Sequence, residues 1–440
     1  MSQSQSQANQ QRQRGRPRLT ETAAASVAEL LGLVRKHQAL TRLELEKISS
    51  FGRAVVSDRL TVLSELGLAH ENETGISGGG RVPRIVSFSK SRAVLVAASI
   101  DQSSVSVALS DLSGNLTAQH HEQGDLGLDA SDAADRMITL IRLMLSRQTK
   151  LPDLWGVSIS VPGPIGPSGN GRPLTSTPEF LKGWNESKLV ERLMAEFLVP
   201  VWLIPSVETM TVGELHGGTG KNNDCMLFIK TGKRFTAGLI YEGRPYRGAT
   251  GAVGLIGQLP ATHEGNLGTL DSLAGAEFIE QAALREARNG TSEHLTDLLN
   301  KGGELTLNDI CQAAQLGDPV CVSIITASGK LVGTVLATLL NMLNPQCVIL
   351  AGALAQTNDI FLAAVREAVY GASHPLATRD LQILQSQLGN TAGLLGAAHI
   401  CLDYLFEPKM LRGWVMAGTP LKHPDIACLR QLKIDSDGLI

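Results

Sequence analysis

A small helical head with a β-wing, followed by an α/β body long enough for two lobes, is the architecture this 440-residue sequence predicts. Three observations carry that expectation. Apolar residues recur at helical spacing in three short runs between residues 26 and 68, strand-like runs alternate with helical runs from residue 93 onward, and the charge is unevenly divided between the two regions. Residues 1–90 hold 13 Lys+Arg against 8 Asp+Glu, whereas the remainder holds 26 against 34. A basic first fifth on an acidic body implies a segment that meets a polyanion and a body with a second task. With 43% hydrophobic and 18% charged residues the chain can bury a large core, which excludes general disorder.

Residues 1–20, Gln/Ser-rich and then Arg-rich, are expected to form a disordered basic arm. Within it Arg14-Gly15-Arg16-Pro17-Arg18 resembles an AT-hook, in which Gly and Pro keep the backbone thin while Arg14 and Arg16 enter a narrow A·T-rich minor groove. A solvated tail is the bland alternative. Val27, Leu30, Leu31 and Val34 then mark one face of a first helix. Thr41-Arg42-Leu43-Glu44 has capping-box spacing and opens a second, which carries Leu43, Leu45 and Ile48. After a turn at Phe51-Gly52, a third helix draws its core stripe from Val56, Leu60 and Leu63 and stops at Gly67. This order predicts a helix-turn-helix whose third helix presents Arg53 and Ser57 to the major groove, with Arg42 against phosphate. The stretch 69–89 reads as two strands around a glycine-rich tip, a wing whose Arg81 and Arg84 reach a minor groove or phosphates. Residues 21–90 are therefore expected to be a winged helix-turn-helix that binds double-stranded DNA.

In the body, strands are expected at 93–101, 104–114, 154–165, 199–204, 225–232, 236–243 and 346–352, and helices near 130–146, 187–197, 276–287, 320–343 and 360–371. No charge occurs between Lys330 and Asp359, but Asn341, Asn344, Pro345 and Gln346 interrupt that stretch. A buried helix followed by a buried strand is expected there, not a membrane span. Six scattered cysteines without a C-x-x-C pair, and an N-terminus without an apolar h-region, fit a reducing cytoplasm. Trp155, Trp184 and Trp202 are expected in the core. Residues 405–440 show no usable pattern and are set apart as a C-terminal extension.

From about Ser26 to Leu402 the order of parts resembles the ROK family (repressor, open reading frame, kinase), specifically its regulators with an N-terminal winged helix. The landmarks are Gly79-Gly80-Arg81, Asp101, Asp111-Leu112-Ser113-Gly114, Val161-Pro162-Gly163-Pro164, Gly183-Trp184, Gly213-Glu214, Arg247-Gly248-Ala249-Thr250-Gly251, Leu350-Ala351-Gly352-Ala353 and Gly396-Ala397-Ala398. The resemblance implies a two-lobed actin-like ATPase body over residues 91–404 with a lobe boundary near 215. It also implies assembly as a homodimer or homotetramer, and DNA affinity controlled by a sugar or a protein partner.

The chemistry departs from the family's pattern. The family's catalytic Asn-Asp pair falls on Pro205-Ser206, so the base position holds a serine. The phosphate loops read Gln102-Ser103-Ser104 and Gly232-Lys233-Arg234-Phe235-Thr236 in place of small glycines. The positions implied for a structural zinc hold Gln258, Thr262, Glu264 and Thr269, and a sugar-binding glutamate aligns with Leu255. Gln258 and Asp271 remain as candidate effector contacts. Neither metal nor cofactor is expected, and a triad of Ser206, Glu208 and His216 lacks an elbow motif. The expected function is that of a transcriptional repressor with an inactive kinase-like body on a pseudo-palindromic operator. The alternatives are an active ATP-dependent sugar kinase bearing a DNA-binding domain and a ligand-independent DNA-binding protein.

Overall fold

The computed structural model describes residues 20–37, 39–73, 84–101, 104–123, 130–148, 152–163, 165, 184, 188–232, 234–301, 303–357 and 359–423. Arg14, Arg16 and Arg81 lie outside these.

The head opens with α1 (Glu21–His37), whose Val27, Leu30, Leu31 and Val34 are buried as the spacing predicts. A short β1 (Ala39–Thr41) leads to α2 (Arg42–Ser49). Here the capping box forms: Thr41 N donates to Glu44 Oε2 at 2.7 Å and Glu44 N donates to Thr41 Oγ1 at 3.3 Å. These bonds to the charged form hold the Glu44 carboxyl below the usual range. Of the apolar residues on α2 only Leu45 is buried, and Leu43 and Ile48 are exposed. Ser50, in the left-handed region (φ 57°), ends α2, and Gly52 caps α3 (Arg53–Glu65). Gly67 (φ 71°) turns the chain out of α3 into β2 (Ala69–Glu73), which pairs antiparallel with β3 (Arg84–Phe88). β3 also pairs with β1, giving a sheet of order β1-β3-β2. Three helices and two wing strands therefore stand where the periodicities put them.

The body continues through β4 (Ala93–Asp101), β5 (Ser104–Ser110), β6 (Leu116–Gln123), α4 (Ala130–Ser146), β7 (Asp153–Val161), α5 (Leu189–Phe197), β8 (Val201–Pro205) and α6 (Ser206–Gly217). Then come β9 (Met226–Lys230), β10 (Thr236–Tyr241), β11 (Arg244–Pro245), the hairpin β12 (Pro260–His263) and β13 (Asn266–Thr269), α7 (Leu270–Ala274), α8 (Ala276–Asn289), α9 (Glu293–Asn300) and α10 (Leu307–Gln315). The chain closes with α11 (Pro319–Leu343), β14 (Cys347–Ala351), α12 (Ala353–Thr357), α13 (Asp359–Ala372), α14 (Pro375–Thr378), β15 (Gln382–Gln385), α15 (Thr391–Phe406) and α16 (Pro408–Trp414).

Two compact units result, each with its own core. The first takes the chain up to Ile159, the stretch through α5 to Leu203, and everything from Ala398. It contains the head and a sheet of order β6-β5-β4-β7-β8. The second is built from Ile204–Ala397 and the residues following Ile159, around a sheet of order β11-β10-β9-β14-β15. The sequence reading set the boundary near 215, whereas the chain enters the second unit just before α6.

The charge-free stretch folds as a helix and then a strand. α11 buries Cys321, Ile325, Val332, Leu336 and Leu340, and Asn344 (φ 44°) ends it before β14, the fully buried strand between β9 and β15. Burial pushes the Cys321 thiol up to about 12 and the Cys347 thiol to about 11, so both behave as small apolar side chains. Trp155 and Trp184 are buried, as expected of core tryptophans, whereas Trp202 is half-buried against the first unit's core. The region after 404, which sequence left without structure, holds the end of α15 and all of α16, with Leu411 and Trp414 buried in the first unit.

Candidate nucleic-acid interface and ligand pocket

On α3 the buried residues Val56, Leu60 and Leu63 fix the helix's rotation, because residues three and four apart share a face. Opposite them lie Arg53, Ala54, Asp58 and Thr61, all exposed, with Val55 at the edge. Arg53 is the first residue of α3 and follows the glycine cap, where a recognition helix meets base edges. Asp58 forms an ion pair with Arg59, whose Nε donates to Ser26 Oγ at 2.8 Å. The acidic charge on this face is thereby balanced.

Ser57 and Arg42 are brought together in a way the sequence did not suggest. Ser57 is half-buried and accepts from Arg42 Nη1 at 3.1 Å, while Arg42 Nε lies 2.5 Å from Glu71 Oε1 on β2. Arg42, the residue expected against phosphate, here joins α2, the recognition helix and the first wing strand. The cause is Glu71, 29 residues away in sequence and adjacent only after β2 has paired. Arg84 begins β3, exposed and opposite Glu73. The residues sequence reasoning missed, Ala54, Asp58 and Thr61, were available from the phase set by Val56, Leu60 and Leu63.

In the second unit Gln258 and Asp271 do meet: Gln258 Nε2 donates to Asp271 Oδ2 at 3.2 Å. The other carboxylate oxygen accepts from Phe235 N at 2.7 Å. Burial raises the Asp271 carboxyl, and the bonds from Phe235 and Gln258 and the nearby Arg234 oppose this. Phe235 occupies the loop that a phosphate would need, yet its amide is engaged by Asp271 and its ring lies in the hydrophobic core. Ser206 begins α6. These residues do not fit an ATP cradle with a catalytic base.

Two residues along α6, Glu208 Oε1 accepts from Arg247 Nε at 2.9 Å and Nη2 at 2.5 Å, in a cleft walled by Pro205, Thr211, Gly238 and Tyr246. Glu208 thus pairs with Arg247, and the notional triad with Ser206 and His216 does not form around it.

The segment that would carry zinc is a hairpin. β12 and β13 pair antiparallel about Glu264 (φ 49°) and Gly265 (φ 80°), the two left-handed residues of a type I′ turn. Thr262 is a strand residue, Glu264 is in the turn, and Thr269 caps α7 by accepting from Ser272 N at 3.3 Å. His263 stacks edge-on against Phe278 at 5.7 Å. Among the described residues no cluster of three His, Cys, Asp or Glu is placed to hold a metal. Backbone hydrogen bonds close this segment, so a chelator is expected to leave the thermal unfolding midpoint unchanged; a fall of several degrees restored by zinc would contradict this.

The ROK family pattern matches residues 98–404. The chain is similar to the xylose repressor of Bacillus spizizenii, 25% identical over 386 residues, covering 86% of this chain and 95% of the relative. It is also similar to the DNA-binding transcriptional repressor Mlc of Escherichia coli, 25% identical over 404 residues, with 90% and 96% covered. Among solved structures, a ROK family transcriptional regulator described as a homologue of the E. coli Mlc protein superposes with a TM-score of 0.74 at 20% identity, covering 90% of this chain and 100% of the other. The family pattern covers more than half of the chain, across both compact units, and this chain belongs to the ROK family.

Proposed function

We propose that this chain is a sequence-specific DNA-binding transcriptional repressor of the cytoplasm whose ROK body responds to a small molecule and no longer transfers phosphate. The observation that carries the reading is the exposed stripe Arg53, Ala54, Asp58 and Thr61 on a glycine-capped helix beside a two-stranded wing. Arg53 reads a base edge, Arg84 and the arm residues Arg14 and Arg16 serve the minor groove together with Arg81, and Ser57 backs the recognition helix. The curated relatives are named as repressors, one of them for xylose, which supports a sugar as the effector class here. Gln258 and Asp271 are the effector contacts proposed, and the assembly is a homodimer or homotetramer on a pseudo-palindromic operator.

Ligand binding to the body lowers DNA affinity by a coupling energy of about 1–3 kcal/mol. The test is a DNA titration repeated with xylose, other aldoses, amino sugars and their phosphates. A ligand that weakens DNA binding in wild type and loses that effect in Asp271→Asn supports the reading; no effect from any of them removes the sugar form of it. ATP-dependent phosphorylation of any hexose would overturn the loss of catalysis.

Arg42 makes a separate prediction. A phosphate contact contributes about 0.9 to the slope of log K against log salt. Because Arg42 is engaged by Glu71 and Ser57, Arg42→Ala is expected to weaken specific binding while leaving that slope unchanged. A slope reduced by about one would restore the phosphate role.

A further inference from the structure

The outward face of α3 carries a charge of the wrong sign for a surface that meets a polyanion. With Val56, Leu60 and Leu63 turned into the core, Ala54, Asp58 and Thr61 follow one another at helical spacing on the opposite face. All three are exposed, and Asp58 stands in the middle of the stripe with its side chain 66% exposed. A carboxylate brought against phosphates and base acceptors loses its water and gains repulsion unless a donor meets it. Such a group weakens binding to most sequences and suits only those that offer it a donor.

The head holds this carboxylate in place. Asp58 Oδ2 is paired with Arg59, although neighbours along a helix do not face each other. The guanidinium is itself anchored: Arg59 Nε donates to Ser26 Oγ on α1 at 2.8 Å, and Ser26 Oγ donates in turn to Ala23 O at 2.9 Å. The positions flanking Asp58 on the stripe stand low. Ala54 is a methyl group, Thr61 Oγ1 folds back to donate to Ser57 O at 2.9 Å, and the cap at Gly52 adds no side chain. An aspartate is short, so it reaches a base edge only from a helix lying deep in the groove, and this profile permits that approach.

An ionised carboxylate only accepts hydrogen bonds. In the major groove guanine shows it the acceptors N7 and O6, thymine the acceptor O4, and adenine an amine beside the acceptor N7; cytosine presents the N4 amine with no acceptor of its own. We propose that Asp58 is a specificity-determining residue that accepts a hydrogen bond from the N4 amine of one cytosine in each half-site and rejects the other three bases there, with Arg59 as its positioning residue. This rests on the reading of the chain as a sequence-specific DNA-binding regulator. It adds to the contact of Arg53 a second one that works largely by exclusion.

The test uses the full chain and a selected operator in which each base pair of the half-site is replaced in turn by the other three, with binding followed by anisotropy. Besides the pair whose selection Arg53→Ala relaxes, wild type is expected to show one where cytosine is favoured at least tenfold. Asp58→Ala is expected to reduce that preference below about threefold and to leave the pair read by Arg53 unchanged. It should also bind operators with the wrong base at that position at least as tightly as wild type does, because the repulsion is gone. Asp58→Asn is expected to move the preference from cytosine to adenine, whose N6 and N7 an amide matches with two hydrogen bonds. A cytosine preference untouched by Asp58→Ala overturns the proposal, as does an equal loss on every sequence, random DNA included, which would make the pair with Arg59 a prop for the head only. A wild-type profile with selective positions of which none requires cytosine overturns it too. A wild type that holds operator and random duplexes alike is a distinct failure, because it removes the sequence-specific regulator and this contact with it.

Discussion

Replacing Arg53 with alanine is expected to weaken operator binding by about 1–3 kcal/mol, roughly 5- to 150-fold, and to relax selection at one position of each half-site. The size follows from geometry. Arg53 is the first residue of α3, exposed, behind a cap with no side chain, the position from which a recognition helix meets base edges. The neighbouring positions are short: Ala54 offers only a methyl group, and Asp58 is paired with Arg59. Binding to unrelated DNA, which depends on phosphate contacts, should change far less. Competition titrations against operator and random duplexes measure the two separately; equal losses on both would make Arg53 a phosphate contact.

A second large effect is expected at Gly396. A methyl group there would collide with the carbonyl oxygen of Thr209 on α6, and one on Gly213 would collide with that of Ala392 on α15. Two helices thus cross at backbone contact, each supplying a glycine at the crossing. Gly396→Ala forces them apart and should cost about 1–3 kcal/mol or more, because overpacking displaces backbone and not a flexible side chain. α6 carries Ser206 and Glu208, so the damage should reach the cleft where Glu208 meets Arg247 as well as stability. Thermal unfolding checks the first part. A variant as stable as wild type would show that the crossing can open without cost.

These glycines illustrate what could and could not be read beforehand. Gly213 and Gly396 stood out as landmarks of a resemblance, but the reason for them is a contact between residues almost two hundred positions apart. The head was legible because its signals are local: a capping box spans Thr41 to Glu44, and one face of a helix repeats within Val27 to Val34. Strands buried on both faces, such as β4 and β14, declared themselves by unbroken apolar runs. β6 did not, since an edge strand reading LTAQHHEQ alternates between half-buried and exposed positions and has almost no apolar face. α16 was also missed. Seven residues with two apolar anchors, Leu411 and Trp414, are too few for a periodicity, and their meaning depends on Trp155 and Phe406 already being in place.

The candidate site divides in the same way. Arg53 was identified correctly as exposed, since its position depends only on where α3 begins. The pairing of Arg42 with Ser57 and Glu71 was hidden, because Glu71 comes from β2, 29 residues away. Gln258 and Asp271 were chosen by alignment with sugar contacts and do lie together, yet the engagement of Phe235 N by Asp271, 36 residues apart, was invisible in sequence. Long-range polar pairing is the information that a linear pattern lacks.

The most direct measurement is selection of bound fragments from the source genome by the full chain, beside Arg53→Ala, followed by anisotropy at two salt concentrations. The account predicts enrichment of one palindromic site that the variant loses, with affinity for that site far above random DNA. Equal, salt-sensitive retention of all fragments by both proteins would contradict it, because the head would then hold DNA without reading it.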